Sequence, residues 1–334
     1  MNENAELLTS PTISIVIPFY NSAAFIEDAI KSVEQQTCDY EAVFVDDGSI
    51  DDGYKIVERY VTVNPRLKLV RQTNQGANRA RANGVKAALG EWVTFLDADD
   101  VLLPSFSEVV AKARDFEEDI VYSTPININK SYRPDCSIMD VDKYRKKIIL
   151  GEISTGPWAK FFRRKLFTDF VFDFPKSIIS AEDYLMNIRL SFNTHKDVMI
   201  ASEGYYLVRV DANPQSAMKT FNGTWDYGQE YDRHLNNSFP GDERTRYLPA
   251  ITKWRLKIWH YSFRKVWKLP KAAYDCEYFR LLQEDIKRCD YKPTYFEAWN
   301  MRLRNPLLRA IADMSMRGLG IVKRIKDNLV RTKA

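Results

Sequence analysis

ISIVIPFYNSAAFIEDAIKSVEQQTCDYEAVFVDD (residues 13–47) is the stretch that decides the fold. Its opening ISIVIPF (13–19) is a β-branched run bounded by Pro11 and Asn21, the pattern of a buried strand. Phe25, Ile26, Ala29, Ile30 and Val33 then recur at helical spacing after Asn21-Ser22, which are good N-cap residues. EAVFVDD (41–47) returns to the strand pattern and closes on Gly48-Ser49. Strand, helix and strand in this order imply a crossover and parallel pairing.

The same alternation continues outward. Ser49 with Asp52 suggests a capping box opening a helix through Ile56, Val57, Tyr60 and Val61. LKLV (67–70) predicts a third strand, and a helix over 79–89 ends at Gly90. EWVTFLDADD (91–100) reads as the fourth strand, followed by a helix over 105–116 and a fifth strand at 119–123. The expectation is an α/β fold with a mainly parallel, doubly wound sheet over residues 12–123. Beyond it, helices are expected at 140–149 and 181–193, a strand at 198–210, and a Trp- and Tyr-rich helical region from about 220. The expected organisation is a polar extension (1–11), a catalytic domain (12–219, in halves 12–123 and 124–219) and a basic helical region (220–334).

Composition narrows the class. With 334 residues, 45% hydrophobic and 28% charged, and with only 13 Gly and 14 Pro, the chain is neither low-complexity nor disordered. No apolar run approaches the roughly 18 residues needed to span a bilayer, and the polar MNENAELLTS start does not read as a signal peptide, so a cytoplasmic location is expected. The four cysteines, Cys38, Cys136, Cys276 and Cys289, form no CxxC pair, and with three His any metal chemistry has to use oxygen ligands. Segments 251–270 and 301–334 carry a surplus of 13 positive charges within a net +4, which leaves −9 on the remainder.

The polar residues cluster at strand exits, where open α/β sheets bind ligands. Strand one ends in Pro18-Phe19-Tyr20-Asn21, strand two in Asp46-Asp47-Gly48-Ser49, and strand four in Asp97-Ala98-Asp99-Asp100. If the strand persists, Asp97 and Asp99 face the same way, and a hard divalent cation would offset their repulsion while keeping positions for substrate phosphates. Each cluster also has a plainer explanation: a solvated acidic loop for Asp97 and Asp99, turn chemistry for 46–49, and an aromatic packed at a strand exit for Tyr20. Glu182-Asp183 likewise suits an acidic first helical turn.

Four segments, SIVIPFYN (14–21), VFVDDGSIDD (43–52), NQGANRARANG (74–84) and GEWVTFLDADDVLLP (90–104), resemble the family 2 glycosyltransferases of GT-A fold in order and spacing. A fainter likeness runs through WAKFFRRKLF (158–167) and AEDYLMNIRLSF (181–192). The resemblance implies that Pro18 and Tyr20 line a base pocket, with the Tyr20 ring stacking on the base and Asp47 accepting a hydrogen bond from it. It places Arg81 near the diphosphate, Asp97 toward the ribose, and Asp99 on Mn2+ or Mg2+ with Asp97 beside it. Asp183 becomes the catalytic base, with Glu182, Trp158 and Lys160 on the acceptor side. The family's Ala-Arg-Asn departs here to Arg81-Ala82-Asn83, which leaves Arg79 as a second candidate for the phosphate contact. No QxxRW follows, unlike the processive synthases of the family.

The implied activity is inverting transfer of a sugar from a nucleoside diphosphate sugar, UDP-linked, to an acceptor hydroxyl in cell-surface polysaccharide synthesis. A sugar-1-phosphate nucleotidyltransferase is the alternative enzyme, but the loop Phe19–Ala23 lacks the glycines it would need. A non-catalytic nucleotide-binding or membrane scaffold is the alternative outside enzymology. The basic aromatic segments 251–270 and 304–331 could lie in an anionic membrane interface, which suits a lipid-linked saccharide acceptor, or pack as a helical subdomain. The acidic body argues against nucleic acid as a partner.

Overall fold

A computed structural model of the chain describes residues 10–126, 137–209, 225–241, 243–265 and 277–292. Two units are distinguished, Met1–Asn222 with Asn237–Pro240, and Gly223–Asn236 with Gly241–Ala334. The first is an α/β unit with ten strands and six α-helices among the described residues. In chain order these are β1 (Ile13–Phe19), α1 (Ile26–Glu34), β2 (Tyr40–Asp46), α2 (Gly53–Val63), β3 (Leu67–Arg71), α3 (Ala77–Ala87), β4 (Trp92–Phe95), β5 (Val101–Leu102) and α4 (Ser105–Ala113). They continue as β6 (Ile120–Tyr122), β7 (Ser137–Met139), α5 (Val141–Ile149), β8 (Lys160–Arg163), α6 (Glu182–Phe192), β9 (Val198–Ile200) and β10 (Tyr206–Leu207).

Eight strands form one sheet in the order β3-β2-β1-β4-β8-β6-β9-β7. The β3-β2-β1-β4 half is parallel throughout, as is β6 with β9, while β8 and β7 run antiparallel to their neighbours. The chain lays β2 and β3 on one side of β1 and returns to place β4 on the other, so strand order reverses at the β1–β4 pair. The period-2 alternation divides the core between two faces. Ile13, Ile15 and Ile17 of β1, with Ala42 and Phe44 of β2, pack with Ala29 of α1 in one cluster. Val43 and Val45 face the other way, onto Ala80 of α3.

Gly84 sets how closely α3 approaches the sheet. A Cβ at that position would lie 2.3 Å from Val16 Cγ1 and 3.1 Å from Val45 Cγ2, so the helix backbone rests directly on β1 and β2.

Several local expectations are corrected. Asn21 and Ser22 do not cap α1 with their side chains; the helix begins at Ile26 with no side-chain cap. Instead Asn21, at φ +50°, joins two loops: its N–H donates to Ser49 Oγ (3.0 Å) and its Oδ1 accepts from Ile50 N (2.9 Å). The Ser49–Asp52 capping box is absent, because Ser49 is engaged by Asn21 and Asp51 accepts from Gly53 N (3.0 Å) at the start of α2. The strand expected at 91–100 stops at Phe95, and Leu96–Asp100 is a turn closed by Asp100 N donating to Asp97 O (3.0 Å). The strand expected at 198–210 divides into β9, in the large sheet, and β10, which pairs antiparallel with β5. Residues 201–205 turn between them, and residue 210 lies outside the described residues.

The second unit contains α7 (Trp225–Asn237), α8 (Glu243–Lys265) and α9 (Glu277–Arg288). Arg255, fully buried on α8, donates to both Asp232 oxygens (2.8 and 2.6 Å) and to Asp285 Oδ2 (2.5 Å), which also accepts from Arg244 (2.8 Å). Ile251, Trp254 and Leu256 are buried, and Trp254 stacks on Tyr231. Trp254 and Leu256, the latter against Tyr278, Phe279 and Leu282, therefore pack within the unit. The side chains of 257–270, the segment 304–331 and residues 1–9 of the N-terminal extension lie outside the described residues. No helix among the described residues is long and apolar enough to cross a membrane.

Gly84→Val should overpack the α3–β1 contact, lower thermal stability by about 1–3 kcal/mol and displace Arg81. Denaturation midpoints checked against Gly228→Ala, where a Cβ would meet nothing within 4 Å, measure this directly.

Candidate active site

The reversal at β1–β4 gathers the polar residues that the sequence singles out. Tyr20 leaves β1 47% exposed, one of the large hydrophobic residues of the unit that is not packed away, and Pro18 is half-buried. Asp47, past the end of β2, is buried and accepts three hydrogen bonds from the loop before α3. Oδ1 takes Gln72 Nε2 (2.8 Å) and Gln75 N (2.7 Å), and Oδ2 takes Gly76 N (2.8 Å). A carboxylate has about four acceptor positions, so one remains on Oδ2. Gly76 itself sits at φ +90°, a conformation that favours glycine, and opens α3.

Arg79 and Arg81 lie about 200° apart around α3. Arg79 is exposed, whereas Arg81 is buried and points into the site. Its Nη1 is 2.7 Å from Asp183 Oδ1 and 3.4 Å from Glu182 Oε1, and its Nη2 is 3.5 Å from Asp97 Oδ1. One guanidinium thus joins α3, the turn after β4 and the start of α6. Glu182 and Asp183 do occupy an acidic first turn, entered through Ala181 at φ +61°, but their side chains serve Arg81 and do not cap the helix. Tyr184–Phe192 are all buried, which fixes α6, and Asn187 Nδ2 donates to both Thr155 O (2.9 Å) and Asp183 O (2.8 Å), linking the first turn of the helix to the loop before β8.

Lys160, at the start of β8, is fully buried and donates to Gly156 O (2.6 Å). Burial pushes its ammonium down to about 7, partly offset by Asp183. Burial pushes the Asp183 carboxyl up to about 8; Arg81 opposes the rise, Glu182 and Asp97 add to it, and Lys160 opposes it. Asp97 is also raised by burial, against the pull of Arg81. Burial disfavours the charge on Arg81, yet the three carboxylates outweigh it and keep its proton more firmly bound than usual. Asp183 keeps 26% of its side chain accessible, Asp97 30% and Glu182 15%, so all three can meet a ligand.

Asp97 and Asp99 do not share a strand face, because the strand has ended before them. Asp97 turns to Arg81, while the Asp99 carboxylate has no hydrogen bond or ion pair with any described residue; only its backbone O is bonded, to Arg209 Nε (2.6 Å). No group of three or more His, Cys, Asp or Glu among the described residues could enclose a metal ion. One open carboxylate does fit a hard cation whose other ligands are water and substrate phosphate.

Three residues, Asp100, Tyr206 and Arg209, were given no role by the sequence. Asp100 is buried, accepts from Tyr206 Oη (2.7 Å) and Arg209 N (2.8 Å), and is pushed up to about 7 by burial. Tyr206 is fully buried, and Trp158 stacks on it at 5.3 Å and 22°. The third Asp of DADD and the paired tyrosines of EGYYLVRV were visible, but nothing in the sequence joins positions more than a hundred residues apart.

Residues 14–170 match the model of Glycosyl transferase family 2. The uncharacterized glycosyltransferase EpsJ of Bacillus subtilis (strain 168) is 29% identical over 243 residues, covering 69% of this chain and 68% of EpsJ. The poly(ribitol-phosphate) beta-glucosyltransferase of Bacillus spizizenii is 30% identical over 218 residues, 61% of this chain and 33% of that enzyme. Three further curated relatives are matched over 57%, 28% and 35% of their own length. Among solved structures, S. aureus TarS 1-349 in complex with UDP-GlcNAc has a TM-score of 0.61 at 19% identity, covering 84% of this chain and 93% of that one, which shows the GT-A fold. Fold, family match and relatives agree: residues 14–170 form a Glycosyl transferase family 2 domain.

Proposed function

We propose that the protein transfers a sugar from a UDP-sugar to the hydroxyl of a saccharide or lipid-linked saccharide, with inversion at the anomeric carbon, in the assembly of a cell-surface polysaccharide. The observation that carries this reading is Asp183, a carboxylate of raised proton affinity held at the end of a buried helix beside Arg81 and Asp97, at the strand-order reversal. A group with proton affinity near the working pH is suited to general base catalysis. Asp183 takes the acceptor proton as its oxygen attacks from the face opposite the leaving diphosphate. Glu182, Lys160 and Trp158 border the acceptor side.

On the donor side, the exposed Tyr20 ring stacks on the base beside Pro18, and the open acceptor position on Asp47 takes the N3–H of uracil. The UDP-GlcNAc held by TarS supports a uridine donor through the shared fold, and the polymer named for the Bacillus spizizenii enzyme supports a surface-polysaccharide acceptor. Asp97 faces the ribose, and Arg81 lies within reach of the diphosphate from its carboxylate cluster. Asp99, with Asp97 beside it, would hold Mn2+ or Mg2+, which when bound supplies Lewis-acid neutralisation of the leaving diphosphate.

Asp183→Asn should reduce kcat by about 10²–10⁴-fold while UDP affinity, measured by calorimetry, stays within a factor of two or so. Unchanged turnover would remove Asp183 as the base. UDP with Mn2+ at 100 times its Kd should stabilise the wild type by about 2.7 kcal/mol, and Asp99→Ala should lose the part of this shift that EDTA also removes. A base must be deprotonated to act, so kcat/KM should rise with pH through an acid limb near 8, set by the raised Asp183. A limb in the ordinary carboxylate range, near pH 4, would contradict that environment.

A further inference from the structure

The turn Asp97–Asp100 carries donor-side carboxylates yet belongs to no strand, and four of the hydrogen bonds that hold it come from residues 206–209. The Tyr206 hydroxyl accepts from Asp97 N (3.1 Å) and donates to Asp100 Oδ2 (2.7 Å), so one oxygen bridges the first and last residues of the turn. Arg209 holds the remainder: its N donates to Asp100 Oδ1 (2.8 Å) and its Nε to Asp99 O (2.6 Å). The pairing of Tyr206 with Leu102 and of Leu207 with Val101 fixes this clamp along β5, and Arg209 Nη1 reaches Asp28 of α1 (2.7 Å). Tyr206 and Asp100 are buried, and the Trp158 ring lies flat on Tyr206. Backbone and flanking side chains of the turn are bonded, while the Asp99 carboxylate alone is left without a partner among the described residues.

We infer that Tyr206, seconded by Arg209, is a positioning residue that spans the Asp97–Asp100 turn and so holds the Asp99 carboxylate oriented for a divalent cation shared with the donor diphosphate. The inference rests on the donor reading above. Its physical basis is preorganisation: a carboxylate on a turn already fixed at both ends binds without the cost of ordering that turn. Tyr206 touches neither donor nor cation and acts through the turn. Its stacking on Trp158 also makes one rigid pair of an acceptor-side ring and a donor-side anchor.

Tyr206→Phe keeps the ring and its stacking and removes only the bridging oxygen. Two measurements on the full chain decide the matter. In the ligand-free protein, deuterium exchange across 96–103 should become about tenfold faster, because the Asp97 amide loses its acceptor. In calorimetric titrations of UDP with Mn2+ and with EDTA, the affinity gained from Mn2+ should fall about tenfold, while the EDTA affinity is unchanged. Tyr205→Phe, which removes a buried hydroxyl not bonded to residues 97–100, serves as the comparison and should leave the Mn2+ increment as in the wild type. Unchanged exchange would overturn the clamp. Faster exchange with an unchanged Mn2+ increment would reduce Tyr206 to a structural role and overturn its positioning of Asp99. A wild-type protein whose UDP affinity does not depend on Mn2+ would instead overturn the donor reading and this inference with it, a result distinct from the other two.

Discussion

The buried guanidinium of Arg81 is the constraint around which the site is organised. A cation removed from water is costly unless its donors find acceptors, and here three carboxylates from two distant segments supply them. The dependence is mutual. Without Arg81, Asp97, Glu182 and Asp183 would crowd three negative charges into one small volume; without them, the arginine would be stranded. Each element that holds Arg81 therefore also shapes the carboxylates. Gly84 brings α3 down onto β1 and β2, Asp47 fastens the loop that launches the helix, and the wholly buried body of α6 keeps the opposing acids in place.

Much of this framework was legible in the sequence, for definable reasons. Strands β1 and β2 are β-branched runs buried on both faces, and the helix between them carries its apolar residues at helical spacing, so pattern and structure coincide. The positions of Asp47, Arg81, Asp97, Asp99 and Asp183 at strand exits and helix starts followed from that alternation together with the family likeness. What was not legible depends on competition between partners. Asn21, Ser22 and Ser49 are good capping residues, yet Asn21 and Ser49 bond each other's loops and the Ser22 hydroxyl donates to Tyr20 O. The turn at 96–100 continues an apolar strand in sequence and leaves it in space because Tyr206 and Arg209 draw it away. Which of Arg79 and Arg81 is buried was decided by the helix itself, which turns two residues about 200° apart to opposite faces.

The second unit offers a similar lesson about charge. Its sequence reads as a basic, aromatic region suited either to an anionic surface or to packing as a helical subdomain. Yet Arg255 lies wholly inside, gripped by Asp232 and Asp285, with Arg244 on the same acid. Arginine can be buried this way because its planar fork satisfies two carboxylates at once, whereas charge counting treats every basic residue as solvated. Part of the positive surplus is therefore spent holding helices together.

The three hydrogen bonds on Asp47 have a consequence for how such an enzyme can change over evolution. The carboxylate proposed to read the donor's base is also the peg on which the loop into α3 hangs, and α3 carries Arg81. Replacing Asp47 to suit another nucleotide would release Gln75 and Gly76, loosen the entry to the helix and disturb the charge cluster at the reacting end. On the proposed reading, nucleotide preference is tied mechanically to the charge cluster around Arg81. New donors are more readily reached by altering the sugar end of the pocket than its base end, so lineages built on this arrangement would diversify in the sugar they move while keeping the nucleotide that delivers it.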